Sequence, residues 1–150
     1  MHTRGFTLIE ILVVVAIIGI LTSVVMGSLN TARDRAEDAS VRANMSAMRS
    51  QAELYHEVNG SSFEGVCDNT AGVGGVKTIY MGVSEAVFAT GGATVGTGPT
   101  TIYAGTCNDD VSSWAAEAAL KTGGFYCIDN TGKAATSSTA LLGAGEMICE

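Results

Sequence analysis

Histidine, the side chain most used for proton transfer near neutral pH, occurs only twice, as His2 and His56. The chain therefore offers no Ser-His-Asp arrangement and no His-x-x-x-His pair, and no carboxylate pair stands in an apolar context. Lysine and arginine total 8 against 15 acids, a net charge of -7. That balance argues against a phosphate-binding surface, and nucleic acid is not an expected partner. A local patch of Lys77, Lys121 and Lys133 is the remaining basis for a nucleic-acid reading. Gly72, Gly74 and Gly75 lack the Gly-Lys-Ser continuation of a phosphate loop. Asp109, Asp110 and Asp129 carry oxygen ligands of the kind calcium takes, but acids in loops are more often simply solvated. No catalytic residue, metal or cofactor is expected.

Against these shortages stands one dominant feature. Between Phe6 and Leu29 the only charged residue is Glu10, and Ile11 to Leu21 has no strongly polar side chain. About 20 apolar residues are enough to cross a hydrocarbon core. Arg4 precedes the run, which places the leader on the cytoplasmic side and the remainder outside. A secretory peptide cleaved beyond the run is the rival reading, and Val25-Met26-Gly27 is a poor site for it.

From Asn30 to about Glu57 the pattern is that of a soluble helix. At 100° steps, Val41, Met45, Met48, Ala52 and Tyr55 share one face. Ala32, Ala36, Ala39, Ala43 and Ala47 share the opposite one. The first stripe is expected to carry a globular head, and the second to admit another helix. Asp38–Arg42 and Arg49–Glu53 are spaced as i,i+4 ion pairs. Asn59-Gly60 ends the helix, and Asn59-Gly60-Ser61 is also a glycosylation sequon.

Beyond it the chain is rich in Gly, Thr and Ser with a single proline, which suits a loop-rich, β-containing head. Strand character is expected over Lys77–Val83, Thr101–Cys107, Val111–Leu120 and Phe125–Asp129. Ser84–Ala89 reads as a helical turn, Gly91–Pro99 as a loop, and Asn108–Asp110 and Asn130–Lys133 as turns. Gly123-Gly124 closes a hairpin. Cys67, Cys107, Cys127 and Cys149 all follow the apolar run, and an even count behind an export signal reads as two disulfides. Three pairings are open; Cys67 with Cys107 and Cys127 with Cys149 is the one we expect.

Gly5-Phe6-Thr7-Leu8-Ile9-Glu10, after a short basic leader and before an unbroken aliphatic run, resembles the class III signal of type IV pilins and pseudopilins. Phe125 to Gly132 is similar to a C-terminal strand and turn of some pilins. The resemblance implies cleavage between Gly5 and Phe6 by prepilin peptidase and N-methylation of Phe6. It implies that Glu10 pairs with the Phe6 amine of a neighbouring subunit, and that the helix loosens between Gly19 and Gly27 on assembly. The implied fold is α+β: a long N-terminal helix, hydrophobic in its first half, with a small antiparallel sheet packed on its second half. The implied organisation is a leader (1–5), an apolar transmembrane and polymerisation helix (6–29), an amphipathic half (30–58) and a disulfide-bonded head (59–150).

The expected function is that of a major pilin. The prepilin sits in the inner membrane with its head outside, then polymerises with itself into an extracellular fibre of the kind used for adhesion and motility. An assembly ATPase and a platform protein are the implied machinery. A pseudopilin of a type II secretion system, or a minor pilin acting as a binding or DNA-uptake module, is the alternative.

Overall fold

The computed structural model describes residues 5–69, 72–92, 94–96 and 104–150. Helix α1 (Leu8–Val58) runs without interruption. The chain divides into two compact units, one ending at Asp34 and one running from Arg35 to Glu150.

In the first unit, among the described residues, nothing packs on the apolar part of α1. Its large hydrophobic residues from Phe6 to Leu29 are all at least 49% exposed. The helix is long and apolar enough to cross a membrane.

In the second unit α1 presents the face that its periodicity predicts. Val41, Met45, Ala52 and Tyr55 are buried, with Met48 packed against them, while Ala36, Ala39, Ala43 and Ala47 stay exposed. Gly60 at φ +68° ends the helix in the left-handed region that glycine enters without penalty. Asn59 Nδ2 donates to the carbonyls of Ser62 and Glu64, so the sequon amide serves the turn.

The remaining elements are α2 (Tyr80–Ala89), β1 (Thr94–Gly96), β2 (Ala104–Asp109), β3 (Trp114–Ala119), β4 (Phe125–Asp129) and β5 (Ala134–Ser137). The five strands lie in sequence order. The sheet is mixed, because β1 pairs with β2 in parallel; the other three pairings are antiparallel.

Several local expectations change. Lys77–Val83 is not a strand: α2 begins at Tyr80. Ile79, Val83, Ala86 and Val87 recur at helical spacing and all are buried, so the core selects the helix over the β-forming tendency of single residues. Part of the expected loop 91–99 is β1, which pairs with β2 and packs Val95 against the core. Asn108 and Asp109 belong to β2, and the turn follows them. There the Asp110 carboxylate accepts from the backbone and hydroxyl groups of Ser112 and Ser113. The expected strand start at 101–103 lies outside the described residues, and β5 was not anticipated.

The expected i,i+4 ion pairs give way to bonds with the sheet. Asp38, buried, accepts from Lys121 N (2.6 Å), Thr122 N and the Thr122 hydroxyl. Arg49 donates to the carbonyls of Asp129 (3.2 Å) and Lys133 (2.7 Å). An exposed ion pair on one helix contributes only about 0.3–0.5 kcal/mol, whereas a charge buried without a partner is heavily penalised. Both side chains therefore anchor the head to the helix.

The sheet is covered on both sides. Cys107, Trp114, Ala116, Ala118 and Ile128 join the core shared with α1 and α2. On the other face Ala115 and Cys127 pack with Leu142 and Cys149 of the C-terminal segment. Three polar side chains of that face hold the segment as a strap. Glu117 accepts from Leu141 N (2.5 Å) and Leu142 N (3.3 Å). Asn108 donates to the carbonyls of Gly143 (2.8 Å) and Glu146 (2.9 Å). Asp129 accepts from Cys149 N (3.1 Å). Disulfides join Cys67 to Cys107 and Cys127 to Cys149.

Candidate functional site

Gly5, Phe6 and Thr7 precede the helix in irregular, exposed chain, with Phe6 81% exposed. A peptide bond between Gly5 and Phe6 is thus free of the helical hydrogen bonding that would keep it from a protease cleft.

Glu10 has a local partner that its place in the apolar run does not suggest. Its Oε2 accepts from Thr7 N and from the Thr7 hydroxyl, both at 2.8 Å, and Glu10 N donates to Thr7 Oγ1 at 3.4 Å. Thr7-Leu8-Ile9-Glu10 is a capping box, in which residue and helix end satisfy each other's donors. The spacing of threonine and glutamate is a sequence signal for it, one masked by the class III resemblance. The carboxylate also sits at the positive end of the helix dipole. A charge in hydrocarbon is tolerated only with partners, and Thr7 supplies two donors from within the chain.

Gly19 and Gly27 both lie inside α1, where a Cβ added at either would meet nothing within 4 Å. Between and just after them three hydroxyls bond back to their own helix. Thr22 donates to Ile18 O at 2.7 Å, Ser23 to Ile20 O at 2.8 Å and Ser28 to Val24 O at 3.1 Å. Every polar side chain of the stretch is thereby satisfied without water, as a lipid environment demands. The same back-bonding bends and slightly weakens a helix.

The acids considered for calcium have other roles. Asp129 is fully buried, and its Oδ1 accepts from Thr131 N, Thr131 Oγ1 and Lys133 N while Oδ2 takes Cys149 N. Asp109 takes Gly65 N at 2.5 Å, and Asp110 caps its serine turn. Among the described residues no group of three or more His, Cys, Asp or Glu is placed to hold a metal ion. Of the three lysines, Lys121 directs its Nζ at the carbonyl of Thr90.

The N-terminal segment thus combines an irregular, exposed start, a capped acid and an exposed apolar helix long enough to cross a membrane. Comparison with known proteins agrees. The family described as the prokaryotic N-terminal methylation motif matches residues 1–26. The chain is 43% identical over 60 residues to the type IV wide pilus major component PilA4 of Thermus thermophilus, covering 40% of this chain and 46% of that protein. It is 42% identical over 52 residues to type II secretion system core protein G of Klebsiella michiganensis, covering 35% and 37%. Against core protein G of Dickeya chrysanthemi it is 38% identical over 52 residues, covering 35% and 34%. The chain spans less than half the length of the curated relatives it matches. No solved structure gives a significant match.

The likeness to type IV pilins and pseudopilins is carried by the N-terminal part of the chain, residues 1–26 for the methylation motif and 52 to 60 residues for these relatives. The members it matches are structural subunits, not enzymes.

Proposed function

We propose that this chain is a pilin precursor whose mature form is the major subunit of a surface fibre. The observation that carries the reading is an apolar helix that the described residues leave uncovered and most of which lies within a methylation motif. Lipid can cover that surface in the precursor, and copies of the same helix can cover it in a polymer. The transfer need not lose hydrophobic burial. A Gly5–Phe6 cut by prepilin peptidase and methylation of Phe6 leave a cationic amine. Glu10 of a neighbour pairs with it, which sets register between subunits. The loosening of α1 between Gly19 and Gly27 accommodates packing in the fibre. Extraction from the inner membrane requires an external energy source, for which an assembly ATPase and platform protein are the partners.

Mass spectrometry of the protein from its native cell tests the first step. A mature chain starting at N-methylated Phe6 is expected; one starting at Met1, or well downstream of Leu29, overturns the reading. Kinship to core protein G supports a second reading, a pseudopilin of a secretion system. Abundant surface fibres made mainly of this chain favour the pilin, and a short periplasmic assembly tied to protein export favours the pseudopilin.

A further inference from the structure

Helix α2 has one face that the described residues leave uncovered. Gly82, Val83, Ala86 and Val87 are buried, whereas Met81 and Phe88 are 53% and 59% exposed. Seven residues separate these two, about 10.5 Å along a helix, and they lie on one side of it. Glu85, also exposed, stands between them and is the only charged residue of α2. A membrane surface is a poor match for this face, because helices that lie on anionic lipid carry lysine and arginine around the apolar stripe.

A better match exists elsewhere on the same chain. On the side of α1 away from the core, Ala36 and Ala43 are exposed and are likewise seven residues apart. Arg35 and Arg42 are exposed along one edge of that side. The Arg42 guanidinium lies over the Tyr126 ring, 5.9 Å from its centre, which fixes a positive charge beside Ala43. Large side chains with an acid between them thus face small side chains with arginines beside them.

We propose that the α2 face of one copy docks on the outer side of α1 of a second copy. Met81 and Phe88 seat against Ala36 and Ala43, and Glu85 meets Arg42. This contact rests on the polymer reading above and adds to it a head-to-helix contact between subunits. It commits to a second copy because the spacing and the charge both fit and α2 carries no cation to fit lipid.

The test uses the full-length chain expressed in its native cell. All four natural cysteines are paired, so introduced ones report on proximity. Fibres of Phe88→Cys with Ala43→Cys are expected to run as a ladder of linked subunits on a non-reducing gel, and fibres of either single variant as monomers. Glu85→Lys is expected to lower fibre yield roughly tenfold or more, and adding Arg42→Glu to return it. Fibres of the double-cysteine variant without a ladder overturn this contact and leave the polymer reading intact. If that variant makes no fibres, the charge exchange decides: recovery supports the contact, and its absence overturns it. If the unaltered chain makes no polymer, both readings fall.

Discussion

Asp109 and Asp129 both end strands, yet they respond to pH in opposite senses. Burial pushes the Asp109 carboxyl up, and Asp68 and Glu64 push the same way, against the Gly65 and Cys67 N–H donors. Burial also acts upward on Asp129, but hydrogen bonds from the Thr131 side chain and from the backbone of Cys149, Lys133 and Thr131 outweigh it and hold the group low. A carboxyl raised by folding contributes stability at acid pH that is lost as pH rises through its folded pKa; a lowered one contributes stability that is lost as pH falls through its folded pKa. Asp109→Asn is therefore expected to stabilise the protein at neutral pH and to have less effect in acid. Asp129→Asn is expected to destabilise by about 1–3 kcal/mol at neutral pH, with the difference shrinking as Asp129 itself protonates. Thermal unfolding of the detergent-solubilised chain across the carboxylate range reads both. The same sign for the two variants at neutral pH contradicts the assignment.

At the scale of elements, the strap and the α2–β2 contact determine how tightly the head closes. Glu117→Ala removes the acceptor of the half-buried Leu141 N and the buried Leu142 N, and the buried donor left without it costs about 1–3 kcal/mol. Hydrogen exchange at those two amides should rise well before exchange in β3 and β4 does. Replacing Cys127 and Cys149 together should cost about 2–4 kcal/mol and release the same segment. Gly105 sits under α2, where an added Cβ would lie 2.5 Å from Val87 Cγ2 and 2.8 Å from Glu117 O. Gly105→Ala is expected to destabilise by about 1–3 kcal/mol, since a backbone carbonyl cannot step aside. A melting temperature equal to that of the unaltered chain rules that out. The second close approach is at Gly124, with φ +84°, where a Cβ would meet Ser137 O at 2.4 Å. There the β3–β4 hairpin turns directly beneath β5.

For the whole molecule, the test residue is Glu10. Glu10→Leu loses the capping box and the proposed partner of the Phe6 amine together. Thr7 keeps its N-cap hydroxyl, so the helix loses about 0.5–1 kcal/mol and still forms. Cleavage and membrane insertion are expected to continue while fibre yield falls to background. The readouts are mass spectrometry of the mature N-terminus and electron microscopy of the cell surface. Normal fibres from Glu10→Leu would remove the pairing from the account.

Features that depend on local spacing and on a long apolar run could be read from the residues alone. These are the uncovered helix, the core face from Val41 to Tyr55, and the β3–β4 hairpin around Gly123-Gly124. Each repeats a pattern over many residues or uses a turn that few residues can make. Where isolated polar groups and short segments went depended on packing between distant parts of the chain. Asp38 and Arg49 read as ion-pair partners on a helix, because sequence shows the neighbour four residues away and not the turn eighty residues on. Residues 77–83 read as β, but from Tyr80 onward a core with helical spacing makes them helix, and β1 and β5 form where a neighbouring strand offers hydrogen bonds. In the sequence Glu117 looks like a solvent-facing residue of a strand, Asn108 like part of a turn and Asp129 like a solvated acid. They are buried because the strap needs donors and acceptors beneath it, and that demand comes from a segment distant in the chain.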